Sequence, residues 1–210
     1  MSVDLLVAPC SYKAAKYAVM NWHYSKRMPK SRQEYYGAWE DTEFIGAVIF
    51  GKSVTPHLGK KYNLTSWTCA ELTRVALSTH LSPVSQIVTC AIKQTKTHNP
   101  GLRLLISYAD PNVGHEGTIY QAMNWVYVGR SASIVQYYFR GAWRNDTRLF
   151  KMFADSPHLR DGIETRSLDG KLEYLYPLDK AMRRQIEPLA QPYPKRADVG
   201  EIESRFSTTE

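Results

Sequence analysis

The stretch from Ala70 to Asn112 constrains the fold more than any other, because it predicts a strand, a helix and a strand in direct succession. The outer segments, Ala70–Ser78 and Leu102–Asn112, are short, apolar and bounded by turn residues, which is typical of strands. The middle segment, Val84–His98, places apolar residues at helical spacing. In such a unit the amino end of the helix and the carboxyl ends of the strands meet at one sheet edge, where ligands tend to bind. We therefore expect the active site at this edge.

Length and composition indicate one soluble domain. The chain has 210 residues with a hydrophobic fraction of 43%, which is enough for a sizeable core. We place a single domain at residues 1–190 and expect a poorly ordered tail at 191–210. The sequence has neither a long apolar run nor a signal peptide, so we predict a cytoplasmic protein without membrane contact. Three widely spaced cysteines, Cys10, Cys69 and Cys90, fit a reducing compartment.

The charge balance favours a polyanionic partner. Lysine and arginine number 27 against 20 acidic residues, a net charge of +7, which suits nucleic acid binding as well as an ordinary basic protein. Several cations gather in two predicted surface segments, although a solvated basic loop is the common alternative. The candidate DNA contacts are Lys26, Arg27, Lys30, Arg32, Lys60 and Lys61. One of the five tryptophans could stack on a flipped base.

The remaining segments predict a mixed α/β sheet in one domain. Strands and helices alternate on both sides of the central unit, and Asp169-Gly170 is a strong hairpin-turn signal. The predicted elements are a strand at Val3–Pro9, a helix at Ser11–Tyr24, a hairpin at Tyr35–Val54, a surface insertion at Thr55–Cys69, a helix at His115–Val126, broken strands at Tyr127–Arg140, a hairpin at Arg166–Leu178 and a helix at Leu178–Pro188.

This order of elements resembles the GNAT acyltransferase superfamily. The resemblance implies a mostly antiparallel twisted sheet flanked by helices, here with a C-terminal hairpin and helix. It also implies an acyl-CoA donor, with its pyrophosphate at the amino end of the central helix and its pantetheine between splayed strands. The turn at Thr79–Ser85 lacks the glycines of that superfamily, so a related donor or weakly held CoA is equally compatible. The implied donor contacts are Val75, Ala76, Leu77, Ser82, Val84 and Ser85.

Four motifs give a narrower resemblance. The segments Asn21–Pro29, Glu71–Leu77, Ser107–Pro111 and Gly117–Ser131 resemble, in order and spacing, the Mom family of phage DNA-modification proteins, and Lys171–Ile186 also recurs there. The family resemblance implies addition of a methylcarbamoyl group to the exocyclic amine of adenine in double-stranded DNA, which protects phage DNA from host restriction. It further implies acetyl-CoA or a related small-molecule donor and an iron ion. The sequence leaves a homodimer open.

The resemblance also implies roles for individual residues. His23 and Tyr24 would lie at the mouth of the site as proton carrier, metal ligand or base-positioning groups. A helix-end histidine and a packed tyrosine are the alternatives. Arg74 lies mid-strand and needs a partner. We expect that partner to be Asp110, because a regular strand turns Glu71 to the opposite face; the pair would be either a structural ion pair or an anchor for substrate.

Two further residues complete the predicted site. Asp110, at the end of a strand, could act as general base or metal ligand, or simply as a turn cap. Tyr120 corresponds to the tyrosine that the superfamily uses as general acid, with core packing as its alternative. His23, Asp110 and His115 are the candidate metal ligands, but they form no clean ligand set.

Three functions therefore remain open at the level of sequence. The first is modification of adenine in DNA by a GNAT-like transferase. The second is a conventional N-acetyltransferase acting on a small amine or a protein. The third is a non-catalytic DNA-binding module on a degenerate GNAT fold, which the glycine-poor turn permits.

Overall fold

A computed structural model describes residues 3–51 and 58–194, in which ten strands form two sheets. The strands are β1 (Leu5–Pro9), β2 (Gln33–Glu40), β3 (Glu43–Gly51), β4 (Cys69–Leu77), β5 (Leu104–Ala109), β6 (Val126–Arg130), β7 (Ile134–Phe139), β8 (Ala142–Arg144), β9 (Thr165–Leu168) and β10 (Leu172–Pro177). The α-helices are α1 (Tyr12–Trp22), α2 (Val84–His98), α3 (Thr118–Ala122), α4 (Thr147–Asp155) and α5 (Lys180–Ile186).

The larger sheet has seven strands in the order β1-β2-β3-β4-β5-β10-β6. Its neighbouring strands run antiparallel, with one exception: β4 and β5 are parallel and are joined by α2. This arrangement confirms the predicted mixed, mostly antiparallel sheet and its central strand–helix–strand unit.

Helices cover both faces of this sheet because their apolar stripes match its two sides. The stripe of α2 buries Ile87, Val88 and Ala91 against one face. On the opposite face, α1 packs Ala15, Ala18 and Val19 over β3 and β4. The helix α5 packs on that second face as well. Each large buried apolar side chain contributes about 1.5–3 kcal/mol.

The centre of the sheet opens at β4. This strand pairs with β5 only from Cys69 to Glu71, and beyond that point the two strands diverge. Against β3, Ile49 pairs with Arg74 while Phe50 pairs with Leu72, so β4 contains one extra residue, a β-bulge. The bulge shifts the alternation of side chains along β4, and it brings Glu71 and Arg74 to the same face of the sheet.

The smaller sheet, in the order β8-β7-β9, lies between β6 and β10 in the chain. It packs one face on α4 through Tyr137, Leu149 and Phe153. The predicted hairpin at Arg166–Leu178 is therefore wrong, because β9 and β10 belong to different sheets. Between them, Gly170 passes so close to the Ser131 carbonyl that any side chain would clash, and the chain crosses between the sheets instead of turning back.

Several boundaries also differ from the sequence prediction. The helix expected from His115 forms only as α3, since Asn124 adopts a left-handed conformation just after it. In the expected tail, the Gln191 amide donates to the Tyr127 carbonyl at 2.8 Å, and the Tyr193 hydroxyl donates to the Trp125 carbonyl at 2.8 Å. Residues 195–210 lie outside the described range, as do 52–57 of the predicted hairpin and insertion.

Candidate functional site

A cavity of about 560 Å³ opens where β4 and β5 diverge. Its walls come from the end of α1, from β4 and β5, from the loop before α3 and from α3 itself. Because the divergence lies at the centre of the sheet, the cavity receives side chains from elements on both sheet faces. The cavity therefore lies at the strand edge where the sequence analysis expects the active site.

His23 follows α1 and lines this cavity. The Ser25 amide donates to His23 Nδ1 at 3.1 Å, and the Ser25 hydroxyl lies 2.9 Å from the same nitrogen. Burial, together with the nearby charges of Arg74 and His115, lowers the pKa of His23 to about 4. At neutral pH the ring is uncharged with Nδ1 as acceptor, so its proton lies on Nε2, which is a hydrogen-bond donor.

Tyr24 and His115 lie beside His23 at the open side of the cavity. The Tyr24 ring is 4.4 Å from the His23 ring and 4.8 Å from the His115 ring, measured between centroids. Tyr24 is exposed, which places this aromatic group where a planar ligand can contact it. Among the tryptophans, Trp22 also lines the cavity, whereas Trp125 is fully buried in the core.

Glu71 is a cavity residue that reasoning from a regular strand missed. Burial raises the pKa of its carboxyl, with Arg74 and Lys171 acting in the opposite direction. Within the described ranges no hydrogen bond or ion pair engages this carboxylate. A carboxylate in such surroundings binds a proton more tightly than usual, which suits a general base. The only sequence signal was its place in the Glu71–Leu77 motif.

Tyr120 lines the cavity from α3, whereas His23 lines it from the end of α1. Its hydroxyl is 2.7 Å from Ser107 Oγ, which in turn lies 2.9 Å from the Leu72 carbonyl. Burial raises the pKa of Tyr120 to about 12. The phenol is therefore protonated at neutral pH and is held in place by β4 and β5, as a proton donor requires.

Arg74 does not pair with Asp110 as expected. Its Nε and Nη2 both donate to the Arg27 carbonyl at 3.2 Å, and Nη1 donates to the Thr73 carbonyl. The guanidinium therefore attaches the loop after α1 to β4 at the cavity. Arg74 holds the basic loop beside the site instead of forming the predicted ion pair.

Asp110 lies at the sheet edge but outside the cavity lining. Its carboxylate caps the following turn by accepting from the Asn112 amide at 3.1 Å, and it pairs with Lys171 at 3.5 Å. Lys171 itself lines the cavity. In the part of the chain that the structure describes, no three His, Cys, Asp or Glu side chains gather as metal ligands. His23, Asp110 and His115 thus do not fit an iron site.

The turn before α2 contains an internal anion. The carboxylate of Glu40, at the end of β2, accepts hydrogen bonds from the Leu81 amide at 3.0 Å and the Ser82 amide at 2.6 Å. These bonds hold the pKa of Glu40 below its usual value. Because the Leu81 and Ser82 amides, which precede the N-cap Pro83, already bind a carboxylate, a diphosphate can contact these two amides only after Glu40 withdraws.

The other predicted donor contacts divide into two groups. Val75, Leu77 and Val84 line the cavity, on the side nearest to α2. Ala76 is fully buried against α1, because the bulge turns it to that face. Ser82 and Ser85 lie outside the lining.

The predicted DNA contacts also divide. Lys26, Arg27, Lys30 and Arg32 are exposed on the loop that follows His23. Lys60 and Lys61 lie in a short 3-10 helix instead, and Lys61 pairs with the buried carboxylate of Glu173. The basic loop therefore adjoins the cavity with cations that form no ion pair within residues 3–51 and 58–194, whereas the charge of Lys61 is already compensated.

The chain is similar to known proteins over nearly its whole length. Residues 4–195 match the model of the Mom protein family. The methylcarbamoylase Mom of Escherichia phage Mu is 24% identical over 206 residues, covering 92% of this chain and 85% of that protein. No helix among the described residues is long and apolar enough to span a membrane.

Solved structures of other proteins are similar to this chain in fold. FeeM, an N-acyl amino acid synthase from uncultured soil microbes, matches with a TM-score of 0.51 at 9% identity, over 88% of this chain and 95% of its own. A Bacillus subtilis acetyltransferase in complex with CoA matches with a TM-score of 0.49 at 15% identity, over 85% of this chain and 100% of its own. With the family match over residues 4–195, the chain belongs to the Mom protein family and is a transferase that shares its fold with FeeM.

Proposed function

We propose that this protein is a phage-encoded enzyme that transfers a methylcarbamoyl-type group to the exocyclic N6 amine of adenine in DNA, and that the product resists host restriction. The observation that supports this most is the placement of Glu71, His23 and Tyr120 around one cavity beneath a basic loop. The name of the phage Mu relative supports the chemical class of the group. A target adenine would have to leave the base stack to reach the cavity.

Each cavity residue has a defined task in the proposed reaction. The N6 nitrogen forms a new bond to a carbon of the donor, and the bond from that carbon to its leaving group breaks. Glu71 accepts the proton that N6 loses, while Tyr120 donates a proton to the leaving group. The His23 Nε2 proton is available to hold an acceptor atom of the base or the donor, and Tyr24 provides an aromatic surface at the mouth.

For the donor we propose a small molecule related to acetyl-CoA in which the carbon of a methylcarbamoyl group carries the leaving group, because attack of N6 on acetyl-CoA itself would leave an N-acetyl group. Its reactive end would lie between the diverging strands, along Val75 and Leu77. Glu40 occupies the turn amides on which a CoA diphosphate would rest, so we expect diphosphate contacts to contribute little to donor binding. A conventional acetyltransferase of small amines, which depends on tight CoA binding, is the less favoured alternative for the same reason.

The decisive test is mass spectrometry of nucleosides from DNA of cells that express the protein. We expect an adenine adduct with the wild type. Glu71→Gln and Tyr120→Phe should each lower it by about a hundredfold or more, since a positioned acid or base contributes that much. Glu43→Gln, at the exposed first residue of β3, is the matched control and should leave the yield unchanged.

Two outcomes would contradict the proposal. Unmodified adenosine from cells with soluble wild-type protein would reject DNA modification, and acetylation of a small amine by the same preparation would establish the alternative. An adduct that persists in both cavity variants would instead show that the chemistry occurs elsewhere in the molecule.

A further inference from the structure

The open face of the smaller sheet has no part in the cavity chemistry. Helix α4 covers one side of this sheet, where Tyr137 and Phe139 point. Paired residues of an antiparallel sheet share a face, and the pairs Ile134–Leu168, Gln136–Arg166 and Tyr138–Trp143 define the opposite one. We call these six residues the open face: Ile134, Gln136, Tyr138, Trp143, Arg166 and Leu168.

Arg166, Trp143 and Tyr138 form a cationic and aromatic cluster on this face. The Arg166 guanidinium lies over the Trp143 ring, 4.4 Å from its centroid, and its Nε donates to Gln136 Oε1 at 2.9 Å. The Tyr138 ring lies 5.4 Å from Trp143 and is 45% exposed. An aromatic pair and a guanidinium plane held side by side are groups on which nucleic acid bases stack.

The cation of the open face is Arg166, which lies at its centre. The acidic residues Asp146, Asp155 and Asp161 lie in α4 or in loops, outside the strands. Glu164 comes just before β9 and continues the pairing with β7, because the Tyr138 amide donates to its carbonyl at 2.9 Å. A polyanion therefore meets a cation at the centre of the face and one acidic residue at the end that carries Tyr138.

The smaller sheet is attached next to the cavity. Where the chain leaves the smaller sheet, the Asn112 side chain forms two hydrogen bonds with the Asp169 backbone, of 3.0 and 3.1 Å. Asn112 comes two residues after Asp110, at the end of β5. Lys171 comes shortly after Asp169 and lines the cavity. A strand that enters the cavity with one base thus passes close to the root of this sheet.

From these observations, and given the proposed function, we propose that the open face binds unpaired bases of the DNA strand that flanks the target adenine. In a duplex the flat faces of bases are covered by their stacked neighbours. Extrusion of the target breaks that stacking, so a neighbouring base becomes free to stack on Tyr138 or on the Arg166 guanidinium. The surface would hold the opened strand while the target is modified.

The test measures binding of fluorescein-labelled DNA to the full-length protein by fluorescence anisotropy. The probe is a single-stranded oligonucleotide of about 12 nucleotides, within the range bound by small domains. Tyr138→Ala and Arg166→Ala should each weaken binding about fivefold to a hundredfold, as loss of one stacked base would. Arg148→Ala, an equal charge change on exposed α4 outside the open face, should change it less than about twofold.

Each result supports or overturns the inference. Wild-type affinity in both open-face variants would overturn it. So would conversion of a wild-type dimer to a monomer by Tyr138→Ala, because a second copy would then cover the face. Adduct formation measured in parallel separates the two proposals: lost DNA binding without any wild-type adduct rejects only the proposed function, and an adduct with unchanged binding rejects only the open face.

Discussion

At the scale of single residues, burial sets the protonation of the groups that line the cavity. His23 is an uncharged donor at neutral pH, because its pKa falls to about 4. Tyr120 remains protonated, and Glu71 holds a proton more tightly than an exposed glutamate. Groups whose surroundings shift their pKa values in this way are typical of sites of proton transfer. Keeping these groups away from water lowers the free energy of unfolding, and this loss can be measured.

His23 should make the protein less stable in mild acid. The unfolded chain binds a proton near pH 6.5, whereas the folded chain does so only near about 4, so stability falls as pH drops through this window. Each pKa unit corresponds to about 1.4 kcal/mol, and partial exposure reduces the effect, so we expect a loss of about 1–2 kcal/mol. Urea unfolding at about pH 7 and about pH 4.5 should show this loss in wild type and not in His23→Gln.

The control for that measurement is His158→Gln, which changes an exposed histidine beside the smaller sheet. It should retain the wild-type dependence on pH. If His23→Gln loses as much stability as the wild type between the two pH values, the buried histidine is not the source of the acid sensitivity.

At the scale of elements, short connections position the reactive groups more than the long helices do. The bulge in β4 brings Glu71 to the face that carries Arg74. The turn before α2 is closed by Glu40, from a strand 41 residues away in sequence from Leu81. Gly117 begins α3 in a left-handed conformation and so directs Tyr120 into the cavity. The last two connections can each be tested by one substitution with a matched partner.

Gly117→Ala should destabilise the protein more than Gly114→Ala. Both glycines have positive φ, +77° and +75°, so alanine at either costs about 1–2 kcal/mol in backbone strain. A Cβ at Gly117 would also lie 2.4 Å from the Tyr174 ring, whereas one at Gly114 meets nothing within 4 Å. Overpacking adds about 1–3 kcal/mol. Urea unfolding of the two variants tests this, and equal losses would contradict the crowding at Gly117.

Glu40→Ala should free the amides of Leu81 and Ser82 for an external anion. We expect CoA to bind the variant more tightly than the wild type, by about tenfold if one charge-assisted contact is regained. Isothermal titration calorimetry measures both affinities. Glu43→Ala, three residues further along the same hairpin, should bind CoA like the wild type. Unchanged affinity in Glu40→Ala would mean that a donor diphosphate does not use this turn.

At the scale of the whole molecule, the main sheet opens at one cavity, and a basic loop lies beside it. Helices α1 and α5 support one side of the main sheet, α2 supports the other, and the cavity lies where the strands between them part. The loop after α1 carries Lys26, Arg27, Lys30 and Arg32 on one flank of this opening. Part of the net charge of +7 therefore lies on this loop, where the backbone of DNA would meet the site in the proposed function.

Removal of two loop cations should reduce the salt dependence of DNA binding. Each phosphate contact contributes about 0.9 to the slope of log affinity against log salt on duplex DNA. Lys26→Ala combined with Lys30→Ala should therefore reduce the magnitude of this slope by about 2. Anisotropy titrations of a labelled duplex over a range of salt concentrations measure it. Lys93→Ala on exposed α2 should not change the slope, and an unaltered slope in the double variant would place the duplex on another surface.

The sequence by itself determined the elements whose evidence is local. The apolar period of Val84–His98 and the flanking short strands predicted the central unit, and the motifs around His23 and Tyr120 predicted the family. Periodicity along a few turns is sufficient for such predictions, because each residue's face depends only on its neighbours in the chain.

Only the tertiary structure decided which distant groups meet. The bulge that turns Glu71 toward the cavity depends on the register between β4 and β3. The bond from Arg74 to the Arg27 carbonyl, and the bonds from Leu81 and Ser82 to Glu40, join segments about 40 residues or more apart. No local period encodes such contacts, since they arise when buried polar groups must find partners among whatever the packed strands bring near.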